Sequence, residues 1–136
     1  MATIKPMLIR RSETNRIRTS SGEFLEYISW RENKDLAVGI GVHNSRFPRQ
    51  GYIISKKVDE AVLLLKGKGA VVVIIGGKEL RMDLEKDAVA FIPKNTPFYF
   101  DPSPKMEIFS ATGPAWYPKQ QQGLDYRRKQ SGRMII

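Results

Sequence analysis

Between residues 59 and 97 the chain is a series of short Val, Ile, Leu and Phe runs cut by glycines and prolines. The runs are Asp59 to Leu65, Ala70 to Ile75, Leu80 to Met82 and Ala88 to Ile92, and none has the three-to-four residue spacing of an amphipathic helix. Such a stretch can bury itself only as a meander of strands, some covered on one face and some on both. Gly67-Lys68-Gly69 predicts one chain reversal, because glycine enters positive φ without Cβ strain, and Gly76-Gly77 predicts a two-residue hairpin turn. Two hairpins in succession are therefore expected. Pro93 and Pro97 end the strand 88–92, since proline has no amide to give a ladder.

These residues resemble the cupin family of small jelly-roll barrels. The family's first motif ends with Glu, six residues and Gly, as Glu60 and Gly67 stand here. Its second motif runs Gly, five residues, Pro-x-Gly, two residues, His. Asp87 holds the first glycine position, Pro93-Lys94-Asn95 the Pro-x-Gly, and Phe98 the histidine. The likeness covers residues 36–118 and implies an all-β double-stranded β-helix with short extended N- and C-terminal arms. In metal-binding cupins two histidines of the first motif, its glutamate and the histidine of the second hold a divalent ion. Counting back from Glu60, the first two positions fall on Ile54 and Lys56, or on Ile53 and Ser55 if the longer family spacing applies. Only Glu60 remains of the four ligands, and the chain has one histidine and no cysteine. A transition metal needs three or four fixed N, O or S donors, so no metal at that site and no cofactor are expected.

At 136 residues the chain has the size of one domain. It divides into an N-terminal arm with a first strand (1–23), a barrel (24–118) and a basic tail (119–136). The absence of cysteine excludes disulfides, and no apolar run approaches a membrane span, so a cytoplasmic protein is expected. The net charge of +9 is concentrated in the two ends, leaving the middle with 13 basic against 12 acidic residues. Arg10, Arg11, Arg16 and Arg18, with Arg127, Arg128, Lys129 and Arg133, are the groups that would meet a phosphate backbone or an anionic surface. No aromatic platform or nucleic-acid motif accompanies them, so solvated ends are the simpler expectation.

Other segments fill in the barrel. Residues 7–10 read as a strand and 11–23 as polar connection. In 24–30, Phe24, Glu26, Ile28 and Trp30 alternate onto one face. Residues 36–42, 52–57 and 106–111 read as strands, 101–105 as a proline-stiffened turn, and 113–118 as an exit segment carrying Trp116. From Lys119 onward the chain reads as loosely ordered.

The candidate proton-moving residues are Lys56, Glu60 and His43. With the shorter spacing Lys56 and Glu60 both point inward, where an ion pair offsets part of the cost of burying either charge. The lysine then stands in for the metal's positive charge. His43 is the one side chain whose ordinary pKa lies near neutrality. Tyr52 and Ile54, on the strand that carries the histidines of metal-binding relatives, join Phe98, Phe100 and Trp116 as the candidate ligand wall. The expected function is a metal-free barrel binding a small, anionic metabolite, with a homodimer as small cupins often form. The alternatives are a metal-independent isomerase, epimerase or lyase acting on a sugar or keto acid, and nucleic-acid or surface binding through the termini.

Overall fold

The computed structural model describes residues 5–124. Nine strands follow in order: β1 (Asn15–Arg18), β2 (Gly22–Ile28), β3 (Ala37–His43), β4 (Tyr52–Ser55), β5 (Asp59–Ile75), β6 (Lys78–Asp83), β7 (Val89–Ile92), β8 (Phe98–Gly113) and β9 (Gln121–Leu124). All pairings are antiparallel.

Two long strands organise the barrel. β5 has 17 residues and β8 has 16, and each serves both of the sheets that face one another. The later half of β8 lies between β3 and the first half of β5, giving the order β1-β2-β3-β8-β5-β7. The first half of β8 lies beside the second half of β5, giving β9-β4-β8-β5-β6. The passage from one sheet to the other occurs where the register slips, with Gly67 opposite Met106 and Gly69 opposite Pro102.

That crossing corrects two expectations. Gly67-Lys68-Gly69 is a bend inside one strand and not a reversal, and residues 101–105 are a bulged part of β8 and not a turn between strands. Glycine is needed at the bend for two reasons. Gly67 has φ +81°, and a Cβ there would collide with the Lys105 carbonyl oxygen. Gly76-Gly77 does form the hairpin turn, with φ of 57° and 77° between the paired Ile75 and Lys78. Asp87 and Asn95, at the two positions where the second cupin motif carries glycine, both have φ 66°.

The ends also differ from expectation. Residues 7–10 are not a strand, and the first strand is the polar Asn15–Arg18, an edge strand recruited by its register with β2. Beyond residue 118 the chain returns to the barrel as β9, which pairs with β4. Among the N-terminal cations Arg10, Arg11 and Arg16 are paired with Glu13, Glu107 and Glu23. Arg127, Arg128, Lys129 and Arg133 lie outside the described residues. No helix among those described is long and apolar enough to cross a membrane.

The closed end of the barrel is hydrocarbon. Ile53, Val62, Val71, Val73, Ile92, Phe98, Phe100, Met106 and Ile108 form one buried cluster between the two sheets. Each such side chain contributes about 1.5–3 kcal/mol when fully buried. A second cluster of Leu25, Ile40 and Val42 covers the other face of β2 and β3.

Candidate functional site

Against the buried cluster that holds Ile53, Phe98 and Ile108, β2, β3, β5 and β8 turn their inner faces to a cavity of about 400 Å³. Strand alternation decides which residues line it. Phe24, Glu26 and Ile28 come from β2, Gly39 and His43 from β3, Glu60 from β5, and Ile108, Ser110 and Thr112 from β8. Gly39 makes the space. A Cβ there would lie 2.7 Å from Cζ of Phe24, so the phenyl ring rests directly on the glycine.

Glu60 is the principal polar group. It stands opposite Thr112 in the β5–β8 ladder and accepts a hydrogen bond of 2.6 Å from Ser110 Oγ. Burial pushes its carboxyl above the usual carboxylate range, and the Ser110 hydrogen bond pulls in the other direction. A carboxyl so placed keeps its proton to higher pH than a solvated one and can exchange it with a bound molecule.

His43 ends β3 on the cavity wall, stacked between the rings of Phe47 and Phe100 at centroid distances of 5.4 and 5.1 Å. It is buried, and burial lowers its pKa to about 4. Its Nδ1 is 3.0 Å from Ser21 Oγ, which donates to the Ser45 carbonyl at 2.6 Å. The imidazole is therefore neutral at physiological pH. Across the cavity, Trp116 Nε1 donates to Gln121 Oε1 at 2.8 Å, and its backbone amide donates to Thr112 Oγ1 at 2.9 Å.

The sequence-predicted residues divide cleanly. Glu60, His43, Phe98, Phe100 and Trp116 meet at the cavity. Lys56, Tyr52 and Ile54 do not. Lys56 is exposed, so the internal Lys56–Glu60 pair is not formed. The error is one of register: Ile53 of β4 faces Phe98 and lines the cavity, which sets the longer motif spacing and places Ile54 and Lys56 off the lining. A slip of one residue exchanges every inward and outward side chain. Tyr52 instead packs against Tyr99, with the Arg46 guanidinium over both rings and its hydroxyl bonded to Glu79.

The groups around Glu60 are not the three- or four-donor set a transition metal needs. The surroundings of Glu60 offer the hydroxyls of Ser110 and Thr112 and the hydrocarbon of Ile53 and Phe98. Among the described residues no three His, Cys, Asp or Glu side chains gather where they would hold an ion.

Sequence reasoning missed Phe24, Glu26, Ser110, Gln121 and Ser21 as site residues. Phe24 and Glu26 are visible as one face of an alternating strand, and Ser110 and Thr112 share the parity of Ile108. Gln121 carries no signal, because β9 has no apolar pattern.

A barrel of two sheets sharing two bent strands, with a cavity open at one end, is the cupin-type fold. Solved structures agree. A variant of Streptomyces PAC13 with uridine matches at TM-score 0.71 and 12% identity, over 90% of this chain and 93% of that one; another structure describes Pac13 as a nucleoside dehydratase. The capsular polysaccharide assembling protein CapF from Staphylococcus aureus matches at TM-score 0.67 and 15% identity, over 82% of this chain and 32% of that one. Oxalate decarboxylase from Bacillus subtilis matches at TM-score 0.70 and 16% identity, over 91% and 33% respectively. At these identities the likeness is one of fold. No protein-family model matches the sequence, and no curated protein does.

Proposed function

We propose that the barrel binds a small metabolite of nucleoside or sugar size and that Glu60 is the group that exchanges a proton with it. The observation that carries this reading is a protonatable carboxyl, hydrogen-bonded to Ser110, in a cavity of about 400 Å³ walled mainly by Phe24, Phe98, Phe100, Ile108 and Trp116. Mostly apolar concavities with a few convergent polar groups are the usual form of a small-molecule site. The anionic ligand expected from sequence relied on Lys56 inside the barrel, and that lysine is on the surface. The structural likeness to Pac13, a nucleoside dehydratase seen with uridine, favours a ligand of nucleoside size.

A second reading, a lyase or isomerase that works without metal, rests on Glu60, whose carboxyl is pushed upward by burial in the direction a general acid needs. Homodimerisation is a further part of the proposal. Val89 and Phe91 stand exposed on the edge strand β7 and are the surface a second copy would cover.

The test is thermal unfolding and calorimetry against a panel of nucleosides and free sugars. A ligand at a hundred times its Kd stabilises the folded state by about 2.7 kcal/mol, which raises the melting temperature by several degrees. Glu60→Gln should keep the fold and either weaken binding or abolish turnover of the bound compound. Absence of any shift with wild type at millimolar concentration, or a Glu60→Gln variant identical to wild type in both readouts, would refute the proposal.

A further inference from the structure

We infer that the cavity selects an uncharged, hydroxyl-bearing ring in its unphosphorylated form, with Glu26 and His43 as the acceptors that read its O–H donors. This rests on the binding reading above and adds the class of ligand.

Two acceptors on residues of the cavity wall have no protein donor among the described residues, and both atoms keep some accessible surface, so water reaches them until a ligand comes. The first is His43 Nε2. Ser21 Oγ has a single hydrogen, and that hydrogen goes to the Ser45 carbonyl at 2.6 Å. The 3.0 Å contact between Ser21 Oγ and His43 Nδ1 therefore has Nδ1–H as its donor. The tautomer is fixed, and Nε2 carries the lone pair. The ring is only 4% exposed and lines the cavity, with Nε2 over the backbone of Gly41.

The second acceptor is Glu26. Its Oε1 takes both of the side chain's hydrogen bonds, from Asn15 Nδ2 at 3.0 Å and Arg31 Nη1 at 3.2 Å, leaving Oε2 with none among the described residues. The side chain is 8% exposed and lines the same cavity. Arg31 follows Ser29 in a turn where Ser29 N and Oγ both donate to Glu32 Oε1. A ligand O–H that replaces the water at such an acceptor keeps it satisfied, whereas a ligand that excludes the water without donating leaves it unpaired at a cost.

The floor between the polar groups is flat. Glu26 pairs with Gly39 and Gly39 with Ser110, so the backbone at Glu26 and the backbone at Ser110 are two strand spacings apart, roughly 10 Å. The Phe24 ring rests on Gly39 between them. One saturated or aromatic ring fits over that phenyl with hydroxyls reaching outward to the acceptors.

An anion finds no counterpart there. The lining carries Glu23, Glu26 and Glu60, and its one cation among the described residues is Arg18, which is exposed on the edge strand β1. An exposed guanidinium contributes little, and Arg31 is already engaged by Glu26, so among the described residues no buried cation on the lining is left for a phosphate.

The experiment is calorimetry on the wild-type chain with a ribonucleoside, its 2′,3′-dideoxy counterpart and its 5′-monophosphate, and in parallel with a free hexose and its phosphate. The dideoxy compound and both phosphates should each bind at least about tenfold more weakly than the hydroxylated, uncharged compound. Glu26→Gln should bring the phosphate ratio toward one, a change that a general loss of stability would not produce. The wild-type ratios stand even if the variant fails to fold. Equal affinity for the dideoxy compound, or tighter binding of a phosphate, overturns this inference alone. Absence of binding by every compound overturns it together with the binding reading.

Discussion

The single imidazole makes one electrostatic consequence measurable without interference. His43 has a folded-state pKa of about 4 against an ordinary 6.5, because its ring is buried between two phenyl groups. The folded protein thus binds fewer protons at this site than the unfolded chain. Its contribution to stability is fully present above pH 6.5 and is lost as the pH falls toward 4. A tenfold difference in proton affinity between the two states is worth about 1.4 kcal/mol, so the whole effect is about 3 kcal/mol, of which about 2 kcal/mol disappears between pH 7.5 and pH 5. Glu60 acts in the opposite sense. Its raised pKa gives stability that is present at low pH and lost as the pH rises through the folded value. The comparison is therefore made in a Glu60→Gln background, with and without His43→Gln, by urea unfolding at several pH values across that window. The chain with His43 should lose about 2 kcal/mol relative to its partner. The proton resonance of the ring should titrate with a midpoint about 4. A midpoint near 6.5 with parallel stability curves would mean that the ring is not enclosed, and the acceptor role argued for its Nε2 would fall with it.

Two further outcomes follow from placement. Lys56→Met should leave stability within about 0.5 kcal/mol and ligand affinity unchanged, since the side chain is exposed and off the cavity lining; a large loss of either would restore the internal ion pair. Gly39→Ala puts a methyl group 2.7 Å from the Phe24 ring and 2.8 Å from the Leu25 carbonyl oxygen, so it should cost about 1–3 kcal/mol in chemical unfolding and weaken ligand binding as the ring is driven into the cavity. An unaltered melt and an unaltered Kd would show that the ring lies elsewhere.

The barrel is legible in the sequence because its signals are local. The glycine pair at 76–77, the prolines at 93 and 97 and the alternation from Phe24 to Ile28 each act over a few residues. The bend at Gly67 is not legible, because a glycine inside a long strand and a glycine in a turn look alike, and the difference lies in a partner about forty residues away. The same limit governs the site. Glu60 and Phe98 can be placed by motif, but whether Ile53 or Ile54 faces inward depends on the pairing of Ile53 with Phe98, which no short stretch encodes. β1 and β9 are polar edge strands whose only cause is the strand beside them.

The order of the strands has a consequence for how the molecule is made. Gly39 pairs with Ser110 and Tyr52 with Leu124, so β3 and β4 emerge from a ribosome long before the segments that complete their ladders. Vectorial synthesis can close the β5–β6 hairpin early, but the pocket acquires its Ser110 and Gln121 walls only after β8 and β9 have been made. Until then the nascent chain holds open strand edges in water, and a slow, late, nearly all-or-none closure is the folding behaviour that such distant pairing favours.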